Sequence, residues 1–266
     1  LSLDYDRDIL PLSMAHEGGS VTERHLLFAV ARKLLARFPS AEGLLSYLQQ
    51  DLALPLAAKQ AALLADPVNP HREYDLLGIL KGGLVERFYI PATDECPDVA
   101  EVAEFCRFHG ILLAYAYLGD VTESVTGDKK AQHFEDAYLD GLFDALGFLG
   151  FHAVTYMPSR NTAAQLDRVR ALCRRHGLFE ISGEDINQPR QSFVCEAMRD
   201  PRFESLHDAA FALIGHERLS TGHPAAGMFS DDTIRRIPDL DRRIRFFRDA
   251  ALSLATAGAL RDPQVS

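Results

Sequence analysis

Paired cysteines, long apolar runs and an excess of basic charge are all missing from this sequence. The four cysteines are Cys96, Cys106, Cys173 and Cys195, and none forms a CxxC pair. Cys106 and Cys173 lie on apolar helical faces, where a thiol serves as a small core residue and not as a ligand or bridge. A reducing, cytoplasmic compartment is the simplest expectation. No apolar run reaches about 18 residues, which excludes a membrane-spanning helix, and no signal peptide is visible. The formal net charge of −10 and a pI near 5.4 argue against nucleic acid as a partner, since such binders carry a basic face. No internal repeat or low-complexity tract occurs. The first residue is Leu1 and not Met, so the expectation is a chain that begins inside a longer protein.

What is present is an ordinary globular composition: 266 residues, 47% hydrophobic and 25% charged. That allows one large α/β domain, or one with a helical insert. Residues 1–19 read as irregular. Ser20 or Thr22 caps a helix over 21–38, with Leu26, Val30, Leu34 and Leu35 on one face. Further helices are expected at 41–52, 57–65 and 76–81, the last ended by Gly82-Gly83. From residue 84 the pattern alternates. Strands are expected at 85–90, 111–117, 152–156 and 178–181, and helices at 97–109, 131–149 and 162–176. Alternation of this kind means a parallel sheet, open or closed into a barrel. The tail is helical again at 203–214 and 231–257. The expected organisation is therefore a helical insert region (1–83), barrel βα units (84–202) and a C-terminal helical extension (203–266).

In parallel α/β folds the chemistry sits on loops that follow the strands' carboxyl ends. Those loops carry Asp94, Glu95, Asp120, Lys129, Lys130, Ser159, Arg160, Asn161, Glu184, Asp185, Asn187 and Arg190.

The stretch from Leu149 to Gln188 places Tyr156, Pro158 and Ser159 at a strand end, then a helix closing in His176-Gly177, then Asp185 after a last strand. This order resembles the PHP (polymerase and histidinol phosphatase) domain family, where Tyr-x-Pro-Ser-His is followed by a helix and by Gly-Ser-Asp-x-His. Glu95-Cys96-Pro97 through Gly119 is similar to the family's stretch from Pro-His-Glu to Ala-His-Pro-Gly. Thr22-Glu23-Arg24-His25 is similar to its Arg-Pro-His segment. Several family positions differ here: the Ala-His-Pro-Gly histidine falls on Tyr117, the closing histidine on Asn187, its serine on Glu184, and the Pro-His-Glu histidine near Asp94. The family's early His-x-His strand is absent and would lie upstream of Leu1.

The resemblance implies a distorted TIM-like βα barrel, present in this chain only in part, and a metal-dependent phosphoesterase acting on a small phosphorylated molecule or nucleotide. It implies divalent metal ions (Mn, Fe, Zn or Mg), with Asp185, Glu184 and Asp94 as metal ligands. Oxygen ligands in place of imidazoles favour the harder ions. Asp185, Asn187 and Tyr117 are the candidate catalytic residues. Arg24, His25, Lys81, Lys129, Arg160, Asn161 and Arg190 are candidates for holding the substrate, arginine by a planar fork and lysine as a point charge. Plainer readings stand beside these: Asp185 caps a turn, Lys129-Lys130 opens a helix with surface charge, Tyr117 packs, and Arg24-His25 is an ordinary first helical turn. His216 faces the barrel mouth or does not; its neighbour Glu217 points to another helix face. The functional rival is a barrel that binds a phosphorylated or anionic ligand without hydrolysing it. A homo-oligomer is compatible with either reading.

Overall fold

The structure, a computed structural model, describes residues 1–121 and 132–259, with side chains to 253. Its described residues divide into two units: Leu1–Ala92 with Ile186–Ser192, and a second built from 93–121, 132–185 and from Phe193 onward.

The first unit is helical. Its opening residues wind into short turns at Tyr5–Ile9, Leu10–Leu12 and Ala15–Glu17. Four helices follow: α1 (Glu23–Arg37), α2 (Ala41–Ser46), α3 (Ala58–Ala65) and α4 (Arg72–Phe88). Leu27, Ala31 and Leu34 of α1 meet Leu44, Leu48, Leu64, Leu76 and Leu80 in one apolar cluster. The spacing of four and three residues in α1 is that of one helical face. The buried stripe is turned from the expected one: Leu26 is 37% exposed while Leu27 is 1% exposed. Apolar residues surround this part of α1, so periodicity alone did not select the face.

The expected stop at Gly82-Gly83 and strand at 85–90 are corrected, because α4 runs through both glycines to Phe88. A glycine pair ends a helix only when one of them turns left-handed. Neither does so here. A Cβ at Gly83 would lie 2.5 Å from Leu54 Cδ2, so this glycine makes room for a core leucine.

The second unit is parallel α/β. Strands β1 (Ala114–Ala116), β2 (Ala153–Tyr156) and β3 (Phe179–Ser182) pair in that order, with Ala114 opposite Ala153 and Ala153 opposite Phe179. Helix α5 (Val99–His109) precedes β1, α6 (Leu139–Leu149) precedes β2, and α7 (Ala163–His176) crosses from β2 to β3. Gly110, Gly150 and Gly177 close α5, α6 and α7 at φ of 67°, 79° and 65°, the left-handed conformation that favours glycine.

Strand alternation distributes the core to both faces. Val154 and Tyr156 pack with Leu139, Phe143, Leu146, Leu166 and Val169 of α6 and α7. Ala153 and Phe179 pack with Ala209 and Ala212 of α8 (Glu204–Ser220) and Phe247 of α10 (Leu240–Ala259). Among the described residues there are three strands in one open sheet, and not the closed ring of a barrel. The expected tail helix over 231–257 is two helices, α9 (Asp231–Arg236) and α10, parted at Ile237-Pro238. Proline there lacks the N–H that a continuous helix needs. The helix expected from 131 begins, in its described part, with a turn at Asp136–Tyr138 before α6. None of the helices of the described residues is long and apolar enough to cross a membrane, and all four cysteines are free thiols.

Candidate functional site

The carboxyl ends of β1, β2 and β3 carry a dense polar network. Tyr117, 1% exposed, follows β1 and donates its hydroxyl to Asp136 Oδ1 at 2.5 Å. Asp136 Oδ2 also accepts from Asp120 N at 3.0 Å and Gln165 Nε2 at 2.7 Å. Burial, and then the hydrogen bond to the Asp136 carboxylate, push the Tyr117 phenol far above its ordinary value. Its neighbour Glu135 is 2% exposed and accepts from Leu118 N at 2.8 Å and Tyr115 OH at 3.3 Å. Burial, followed by the Glu135 charge, pushes Tyr115 up to about 12. Both phenols are therefore donors at neutral pH.

Asp120 stands at the rim. Its carboxylate accepts from Phe134 N at 2.6 Å and pairs with His133 Nδ1 at 2.9 Å. The His133 bond first, then the Phe134 N–H, hold the Asp120 carboxyl below its usual range. Asn161, 8% exposed, spans two loops: its Nδ2 donates to Leu118 O at 2.8 Å and its Oδ1 accepts from Met157 N at 2.9 Å. Between these groups runs Gly119, at φ 70°, where a Cβ would lie 2.8 Å from Asn161 Nδ2, Gln165 Nε2 and Tyr117 OH. Only glycine meets both the conformation and the crowding. Glu184, just after β3, accepts from Ser159 N at 2.7 Å and Ser159 Oγ at 2.5 Å, tying the β2 and β3 loops together.

No protein-family model, curated protein or solved structure matches this chain, so the geometry alone carries the functional argument.

That geometry brings some of the expected residues together and separates others. In the second unit, Tyr117, Asn161 and Glu184 are network members, engaged by protein groups. Asp185 follows Glu184 on the same loop. Asp94 is exposed in the short turn Thr93–Glu95. Among the described residues no group of three or more His, Cys, Asp or Glu side chains is placed to hold a metal ion. Asp94, Glu184 and Asp185 are thus not brought into one such group among the described residues. Arg160 lies with its Cζ 5.9 Å above the Phe134 ring. Among the described residues no carboxylate is within ion-pair distance of it.

The remaining candidates lie in the first unit. Arg24 Nη1 donates to Asn187 O at 3.2 Å. Arg190 forks onto Asp75, Nε to Oδ1 at 2.9 Å and Nη2 to Oδ2 at 2.6 Å, and reaches Asn69 Oδ1 at 2.9 Å. Burial raises the Asp75 carboxyl, but Arg190 and Asn69 outweigh it and hold it low. Lys81 pairs with Glu23 at 3.0 Å. His25 is a helix-capping residue, its Nδ1 accepting from Thr22 N at 3.0 Å. Lys129 and Lys130 lie outside the described residues. Even the tyrosine of the Tyr-x-Pro-Ser stretch is structural: Tyr156 is fully buried and its hydroxyl donates to Glu180 at 2.6 Å.

Sequence reading passed over Glu135, Asp136, His133 and Gln165. The available signal was an acidic pair just before an apolar helix, and a Gln three residues after the cap Thr162.

Proposed function

We propose that the chain binds a small phosphorylated or otherwise anionic molecule at the carboxyl ends of its parallel strands, with Arg160 as the cation that meets it. The observation that carries this is the contrast at that edge. Tyr117, Asn161, Glu184 and Asp120 are each held by protein partners. Arg160 rests on an aromatic face without a described carboxylate. A guanidinium placed over an aromatic ring, with no described carboxylate partner, keeps its planar fork for a bidentate anion. The position agrees with the rule that open α/β sheets bind ligands beyond the strands' carboxyl ends.

The second reading is metal-dependent phosphoester hydrolysis of PHP type. The placement of Glu184 and Asp185 directly after β3 favours it. It requires Glu184 to leave Ser159 and further donors to gather.

Calorimetric titration with inorganic phosphate, together with p-nitrophenyl phosphate turnover in added Mn, separates the two. Binding predicts saturable phosphate uptake that weakens by about tenfold or more in Arg160→Ala, with no release of p-nitrophenol. Phosphate uptake unaffected by Arg160→Ala overturns the proposed site. Metal-dependent release that disappears in Asp185→Ala establishes the hydrolase instead.

A further inference from the structure

At the amino end of β2, opposite the edge just described, His152 and His216 share the lining of a cavity of about 330 Å³. His152 directly precedes β2 and His216 sits on α8. The His152 Nδ1 accepts from Leu113 N at 3.1 Å, and the His216 Nδ1 from Met228 N at 2.9 Å. A backbone N–H can only donate, so each Nδ1 presents its lone pair and each neutral ring carries its proton on Nε2. Neither Nε2 is bonded by a described protein group, and neither is a buried atom without a partner. Both N–H groups therefore face accessible space. The rings are held in place: His152 packs 4.8 Å from the Phe229 ring, and a Cβ at Gly227 would lie 3.1 Å from His216 Cε1.

We propose that this cavity binds a small carboxylic acid with an apolar body, its carboxylate accepting hydrogen bonds from His152 Nε2–H and His216 Nε2–H. The tautomer excludes a metal ion here, because the nitrogen left open carries a proton and not a lone pair. Phe108, Ile111, Leu112, Pro224 and Phe229 give the cavity apolar walls for the rest of the molecule. The charge balance selects a monoanion. Burial lowers both imidazoles below their ordinary value, and at His152 the nearness of His216 lowers it further. Both rings are thus neutral donors at pH 7. The other titratable groups lining the cavity are Cys106, Arg107 and Asp231, with Glu217 beside His216 on α8. Asp231 opposes a dianion, such as phosphate above about pH 7. A bound carboxylate favours protonation of the rings, so affinity rises as pH falls.

Benzoate and inorganic phosphate titrated into the full chain, followed by the imidazole nitrogen and Cε1–H resonances, test this. Benzoate should move the signals of both rings saturably and bind more tightly at about pH 6 than at about pH 8. At about pH 8, where it is mostly a dianion, phosphate should leave those signals in place. His152→Phe and His216→Gln should each weaken benzoate about tenfold. Unmoved imidazole signals in the wild-type protein overturn the proposal, whether or not the variants fold. So does benzoate affinity that is unchanged in folded variants, or tighter binding of phosphate.

Discussion

His152 and His216 make stability depend on pH. Burial holds both rings below the ordinary 6.5 in the folded chain, and unfolding releases them to that value. Below it, the unfolded state takes up more protons than the folded one. The stability is therefore full above about pH 6.5 and falls as pH drops through that value. Asp75 and Asp120 act in a separate window. Their carboxyls are held low, so what they contribute is present above 3.8 and lost only below it. The urea midpoint should fall between about pH 7.5 and about pH 5, with a shallower slope in His216→Gln. An unchanged midpoint over that range would contradict the depressed imidazoles. At this scale, residue type and loop position were legible: Tyr117, Asn161 and Glu184 do lie beyond strand ends. Their partners were not, because Asp136, Leu118 and Ser159 reach them only through the fold.

Among the elements, α5, α7, β2 and β3 lie close to where sequence pattern places them. Their signals are local: an N-cap at Asp98 or Thr162, a left-handed glycine at the end, and a short apolar run after it. Helix α4 differs because Gly82 and Gly83 carry the same local signal as a stop, while long-range packing against Leu54 decides otherwise. The clearest case of glycine as a packing residue is Gly215 on α8. A Cβ there would lie 2.0 Å from Phe247 O on α10, so the two backbones touch. Gly215→Ala should force the helices apart and cost about 1–3 kcal/mol. Gly82→Ala, with nothing within 4 Å of its Cβ, should instead stabilise by about 0.5–1 kcal/mol. Urea unfolding of both variants checks the pair, and equal stability of Gly215→Ala and wild type would refute the close contact.

For the whole molecule, the informative feature is that Ile186–Ser192 belongs with the N-terminal helices although the sheet lies between them in sequence. The Arg190 fork on Asp75, backed by Asn69, ties that segment in. Arg190→Ala should lower stability by about 1–2 kcal/mol at neutral pH, and less as pH falls below 3.8 toward the lowered value at which the folded Asp75 loses its charge. A loss of the same size at both pH values would show that the carboxylate is not what Arg190 serves. The sequence by itself determined the helical first unit, the parallel α/β second unit and the polar character of the strand-end loops. Each follows from periodicity, caps and turn residues within a few positions of one another. Tertiary structure alone decided that Arg190 pairs with Asp75, that Asp94, Glu184 and Asp185 form no three-member group among the described residues, and that two histidines 64 positions apart, His152 and His216, share one cavity. Those outcomes depend on contacts between distant segments, and no local pattern encodes which distant group a side chain will meet.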